Sequence, residues 1–263
     1  MTRCQGTSGT RGFVFMDPIH QFEITNYFVF GKIGDYEIAF TKSALYMLIS
    51  VALIALLMIG TTSSRALVPG RLQSVAEGTY EFVANSLQST AGPEGMMFFP
   101  FVFSLFMFIL TVNVIGLIPF TFAVTAQIII TASLALLVFF TVIVYGFWKH
   151  GLRFLRLFVP PGIPVYILPL VSFIEVLSFL SRPLSHSVRL FANVLAGHIT
   201  LQVFAGFVTM LGGLGFLGWL GAIFPFGLTV ALEALELLVA FLQAYVFAIL
   251  TCIYLNDAIH PGH

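Results

Sequence analysis

Long apolar runs divided by short polar breaks set the plan of this chain. Residues 43–60, 98–119 and 122–148 hold no Asp, Glu, Lys or Arg. Each is suited to a membrane-crossing helix. Between the first two the pattern changes. Leu72, Val75, Ala76, Thr79, Val83 and Leu87 recur at helical spacing, while Gln73, Glu77, Glu81 and Asn85 fall elsewhere on the wheel. That predicts an amphipathic helix on the membrane surface or packed on its neighbours. AGPEG at 91–95 reads as a break, and PPGIP at 160–164 as another. Two further apolar stretches, 164–211 and 219–255, flank a Gly-rich turn at 212–218. As straight helices they would measure ~72 Å and ~55 Å, against a hydrocarbon core about 30 Å thick. They must tilt strongly, bend at Pro169, Pro183 and Pro225, or divide into several spans.

The predicted fold is therefore an all-α integral membrane protein. It has three apolar helices, one amphipathic surface helix and two long tilted or bent C-terminal helices forming a membrane hairpin. By segment, 1–42 is an N-terminal extension and extracytoplasmic stretch, strand-like or irregular over 17–41. Residues 43–60 form a transmembrane helix, 72–90 the surface helix, 98–148 two more spans and 164–258 the hairpin. Residues 1–15 are Gly/Thr-rich without the apolar core of a secretory signal, and Met16 is a candidate start of the functional sequence.

Composition agrees. Of 263 residues 59% are hydrophobic and 8% charged, against about a quarter charged in soluble domains; the mean hydropathy is +1.03. Acids and bases balance at 11 each, which gives no reason to expect a nucleic-acid partner. Cys4 and Cys252 show no metal or disulfide spacing, and no phosphate-binding glycine loop is evident, so no cofactor, metal or nucleotide is expected. Lys149, Arg153 and Arg156 make the loop after the third span basic, whereas the turn before that span carries no charge. The basic side is normally cytoplasmic, which puts the N-terminus outside and the surface helix inside.

The last hundred residues hold nearly all the charge that falls within apolar sequence: Glu175, Arg182, Arg189 and His198 on the first stretch, Glu233 and Glu236 on the second. An arginine at the bilayer centre costs roughly 2.5–3.5 kcal/mol on insertion scales, so these groups need each other, water or a polar partner. Glu175, Arg182 and Arg189 are seven apart and share a stripe on an unbroken helix. Ser185 and Asn193 sit four residues either side of Arg189. His198 lies about half a turn round and ~13 Å along. Glu236 and Gln243 share a face of the last helix.

SRPLSHSVRLFANVLAGH (181–198) resembles the signature of subunit a of F-type ATP synthases, and LEALELLVAFLQAYVFAILTCIYLND (232–257) resembles that family's last helix. MDPIHQFEI (16–24) and NVIGLIPF (113–120) resemble further family segments. The resemblance implies a membrane stator subunit that conducts protons through two half-channels to and from carboxylates of a rotating c-ring. Arg189 matches the essential arginine facing that ring. Glu175 matches the acid of the cytoplasmic half-channel, and Asn193 and Gln243 match polar positions near the arginine and the opposite half-channel. His198 and Glu236 match a paired site in the outer channel, with the histidine on the first helix and the acid on the last, as in mitochondrial members. Implied partners are the c-ring of small hairpin subunits, b-type peripheral stalk subunits, lipid and, indirectly, the soluble catalytic head; the implied location is a bacterial inner membrane.

Plainer readings stand beside these. Arg182 is as readily a structural ion pair, and Glu175 is its candidate partner. His198 alone reads as a satisfied helix-contact histidine. Glu233 is more readily a supporting acid than a relay, and Asn113, His186 and Asp257 more readily structural or interfacial. An independent secondary transporter or ion channel also uses broken helices and midplane charge.

Overall fold

The computed structural model describes residues 26–33, 36–63, 70–118, 121–159 and 166–260. The expectations for 1–15, for Met16 and for PPGIP at 160–164 lie outside the described residues. The polar segment before the first span forms an antiparallel hairpin of β1 (Asn26–Ile33) and β2 (Tyr36–Thr41), with Ile33 opposite Tyr36. Thr41 then starts α1 (Lys42–Ser63): its Oγ1 accepts from the Ala44 backbone N–H at 3.4 Å, an N-cap bond to an otherwise orphan donor. Beyond this hairpin the described chain is helical, as an all-α membrane protein requires. Five helical segments among the described residues are long and apolar enough to cross a bilayer.

The amphipathic segment forms α2 (Arg71–Gly95). Its packed stripe is Ala76, Val83, Leu87 and Ala91, whereas Leu72 and Val75 face outward. The hydrophobic pattern had left that stripe to the membrane surface or to packing on neighbours, and α2 divides it between the two sides. Tyr80 and Phe82, themselves partly exposed, touch aromatic neighbours: Tyr80 lies 4.5 Å from Phe99, and Phe82 lies 5.2 Å from Tyr245, centroid to centroid. AGPEG breaks the backbone at Gly92 alone, where φ is +68°, a value glycine reaches without Cβ strain. α3 (Phe99–Leu117) follows, with Pro100 in its first turn, where no N–H donor is needed.

The third apolar run is helical only from α4 (Ile128–His150); a buried 3₁₀ turn at Val124–Ala126 comes first. Thr125 explains the delay: its Oγ1 donates to Asn113 Oδ1 on α3 at 2.9 Å, holding the turn against its neighbour. The basic loop is itself a 3₁₀ segment (Gly151–Phe158), pinned by Phe154, which is 1% exposed.

The last two stretches are single helices, α5 (Leu168–Gly212) and α6 (Phe216–Ile259), of 45 and 44 residues. Each runs to ~65 Å or more at 1.5 Å per residue, twice the hydrocarbon thickness. Pro183 and Pro225 lie inside them without interrupting them, and Pro169 occupies the first turn of α5. Their continuity leaves tilt or bending, rather than division at the prolines, as the way both fit a bilayer. Gly215, at φ +85°, makes the turn between them. α6 is the central helix and touches α2, α3, α4 and α5. Ala240, Ala244, Ala248 and Cys252 form a small-residue ridge along it, all buried, and this lets the other backbones approach closely.

Candidate functional site

α5 buries one stripe (Phe179, His186, Ser187, Leu190, His198) against the bundle. Arg189 lies beside that stripe and is exposed, among outward Leu184 (67% exposed) and Val188 (42%). Ser185 is likewise exposed, while Glu175 and Asn193 are half-buried. Glu175 and Arg189 are thus carried on one continuous helix, ~21 Å apart along its axis.

The two ends of the bundle are fixed by specific contacts. At one end Lys149 donates to Glu94 at 2.8 Å, and His150 Nε2 meets the Ile259 carbonyl at 3.0 Å. Glu94 and Lys149 are the charges bounding the uncharged sequence, and here they close on each other. At the other end Lys42 lies over the Phe122 ring at 5.4 Å. α5 begins beside the 3₁₀ segment at the Lys149 end and reaches the Val124–Ala126 turn at the Phe122 end. Glu175 therefore belongs to the first end and His198 to the second, with Arg189 between.

At the Phe122 end His198 is 9% exposed, and its Nε2 lies 3.9 Å from the place a Cβ on Gly116 would take. Next to it in sequence, Gly197 leaves a gap that the Glu236 carboxylate of α6 fills; a Cβ there would collide with that carboxylate. So His198 and Glu236 occupy adjacent positions along the α5–α6 seam. Glu236 Oε2 is buried without a hydrogen-bond partner among the described residues. A carboxylate oxygen so placed calls for water or a proton. Glu233 is half-buried, and Gln243 is 8% exposed, one turn before the Phe247 that packs in the core.

Arg182 does not pair with Glu175. Its guanidinium donates to Asp257 Oδ2 of α6 at 2.6 Å and lies over the Phe179 and Tyr254 rings at 5.4 and 5.1 Å. The reason is reach: Asp257 comes from the facing helix, whereas Glu175 lies two turns away on Arg182's own helix. Arg182 thus meets Asp257 rather than Glu175, the partner the spacing suggested.

Sequence reasoning passed over several polar contacts here. Thr131 Oγ1 and Ser187 Oγ are 3.3 Å apart between α4 and α5, and Thr125 holds Asn113. Threonine in an apolar run carries no signal, because it can always satisfy itself on its own helix backbone. Gly197 was invisible for the same kind of reason, since its role is empty space. Among the described residues no three His, Cys, Asp or Glu side chains are grouped to hold a metal ion.

Residues 44–256 match the family described as ATP synthase A chain. The chain is 68% identical over 247 residues to "ATP synthase subunit a" of Rhodopseudomonas palustris (strain TIE-1), covering 94% of this chain and 99% of that protein. It is also 68% identical over 248 residues to the protein of the same name from Nitrobacter winogradskyi, covering 94% and 100%. A family match spanning most of the chain and near-complete relatives at this identity lead to one conclusion: the chain belongs to the ATP synthase A chain family.

Proposed function

We propose that this chain is the stator subunit of the membrane sector of a rotary ATP synthase, with Arg189 separating two proton half-channels. The observation that carries this reading is the placement of Arg189: exposed on an apolar flank of α5, between Glu175 toward one end of the bundle and the His198–Glu236 seam toward the other. A guanidinium facing hydrocarbon alone would cost roughly 2.5–3.5 kcal/mol, so this flank fits a protein partner bearing carboxylates. A ring of small hairpin subunits with a midmembrane acid has that chemistry.

In this reading a proton arrives through the outer half-channel, where His198 and Glu236 exchange it with water. An imidazole suits the task because its ordinary titration range lies near neutral pH. The proton then neutralises a ring carboxylate, which can turn through lipid because the desolvation penalty falls mainly on the charged form. Near Glu175 the carboxyl meets the inner half-channel and releases its proton. Arg189 favours the ionised carboxylate as it passes. A guanidinium keeps its proton, so Arg189 does not relay protons from one half-channel to the other. Asn193 and Gln243 line the route beside it. The Lys149 end of the bundle faces the cytoplasm of a bacterial inner membrane and the N-terminus lies outside, with peripheral stalk subunits completing the stator.

The test is reconstitution into vesicles. The complete complex is expected to carry protons on ATP addition, and the purified chain without a ring is expected to show no specific proton conductance. Specific conductance by the isolated chain would replace this reading with an independent transporter or channel.

A further inference from the structure

The basic segment after α4 does not run straight out into water. Gly151, at φ +56°, turns the chain sharply at the end of α4. The 3₁₀ segment Gly151–Phe158 then folds back along the bundle. The buried ring of Phe154 fills the gap left by Gly146, where a Cβ would collide with it. Phe158 lies 5.4 Å from Phe179 of α5, which is itself 5.2 Å from Phe139 of α4, centroid to centroid. Gly146 and Phe139 are four and eleven residues before the end of α4, so the segment returns toward the apolar body of that helix. With three residues per turn, Arg153 and Leu155 flank the buried Phe154 on either side, and both are exposed. Trp148, in the last turn of α4, is 84% exposed. Charge is one-sided here. The sequence from 95 to 174 holds no Asp or Glu. Lys149 is matched by Glu94, whereas Arg153 has no ion pair among the described residues.

We propose that this returning segment is a binding site for the headgroup of an anionic phospholipid, with Arg153 holding the phosphate. A guanidinium suits that task because its planar fork donates two N–H bonds to one phosphate. Leu155 and the Trp148 ring lie against the glycerol and the first acyl carbons, the level at which tryptophan is enriched in membrane proteins. Leu152, at the turn itself, stays on the water side. Phe154, locked over Gly146, sets the angle at which Arg153 and Leu155 are presented. The preference for an anionic lipid follows from the one-sided charge. A zwitterionic headgroup brings its own cation to the basic segment, whereas an anionic one supplies only the charge that the chain lacks here. The site does not depend on the reading of Arg189 or on which leaflet the segment faces.

The test is photolabelling of the intact complex in phosphatidylcholine vesicles. These carry a trace of photoactivatable phosphatidylglycerol or, in parallel, of photoactivatable phosphatidylcholine. Mass spectrometry of the peptide spanning 148–158 gives its labelling relative to the rest of the chain. The anionic probe is expected to label this peptide about fivefold more than the zwitterionic one, the weight of one basic side chain at an anionic surface. Arg153→Gln, a change at an exposed side chain, is expected to bring the two probes to near parity here while labelling elsewhere is unchanged. Equal labelling by both probes in the unsubstituted complex overturns the site, because the segment then meets lipid without recognising its charge. A preference that survives Arg153→Gln overturns the role of that guanidinium. Labelling by neither probe shows the segment covered by a protein subunit and overturns the proposal outright.

Discussion

At the scale of single residues, the two arginines of α5 have opposite fates. Arg182 is enclosed by Phe179, Tyr254 and Asp257, with its side chain 27% and that of Asp257 28% exposed. Removing one partner strands the other charge in an apolar wall, which is more damaging than losing the pair. Arg182→Met or Asp257→Leu alone is expected to destabilise the α5–α6 contact by about 2 kcal/mol, less than a fully buried pair because both groups keep some solvent. The double substitution is expected to recover most of that. Release of the chain from the purified complex on mild heating measures it, and additive losses in the double variant would contradict the pairing. The sequence could not separate these two arginines. Their spacing is a heptad, and a heptad says which residues share a stripe of one helix, not which helix faces it. Asp257, in a different element, was needed to decide.

At the scale of elements, the α5–α6 hairpin was readable because length alone excludes a simple span: 45 and 44 apolar residues exceed any bilayer. Helix continuity through Pro183 and Pro225 was not readable, since proline removes a hydrogen bond in either outcome and neighbouring helices decide whether the backbone breaks. The apolar stripe of α2 divides between a packed part at Ala76, Val83 and Leu87 and an outward part at Leu72 and Val75, a division that helical spacing alone does not draw. Gly197 is the element-level feature with the sharpest consequence. Gly197→Ala would put a methyl where the Glu236 carboxylate sits. That carboxylate is the free end of a flexible side chain, so the helices are expected to stay paired while Glu236 swings away. The predicted result is about a tenfold fall in proton pumping with normal incorporation of the chain. Normal pumping in that variant would show that the position of Glu236 is immaterial.

At the scale of the whole molecule, the contacts at the two ends define a polarity. Leu152 (81% exposed) lies just past the Lys149–Glu94 end, and Leu214 (71% exposed) lies at the turn between α5 and α6. With the basic segment facing the cytoplasm, a cysteine replacing Leu152 is expected to react with an impermeant thiol reagent in inside-out vesicles. One replacing Leu214 is expected to react in right-side-out cells. The converse pattern would invert the orientation and exchange the two half-channels. The same polarity gives the polar groups their order along α5, which composition could not supply: many ionisable groups in an apolar stretch announce a pathway, but their ends are set by which loops and turns pack beside them.

Everything in the proposed mechanism depends on the fixed positive charge that α5 holds on its outward flank. Its most direct test is ATP-driven proton pumping, with ATP synthesis in the reverse direction, by the complete complex carrying Arg189→Ala. The expected outcome is a loss of about a hundredfold or more in both directions with the chain still assembled. Synthesis at the unsubstituted rate by that assembled complex would contradict the account.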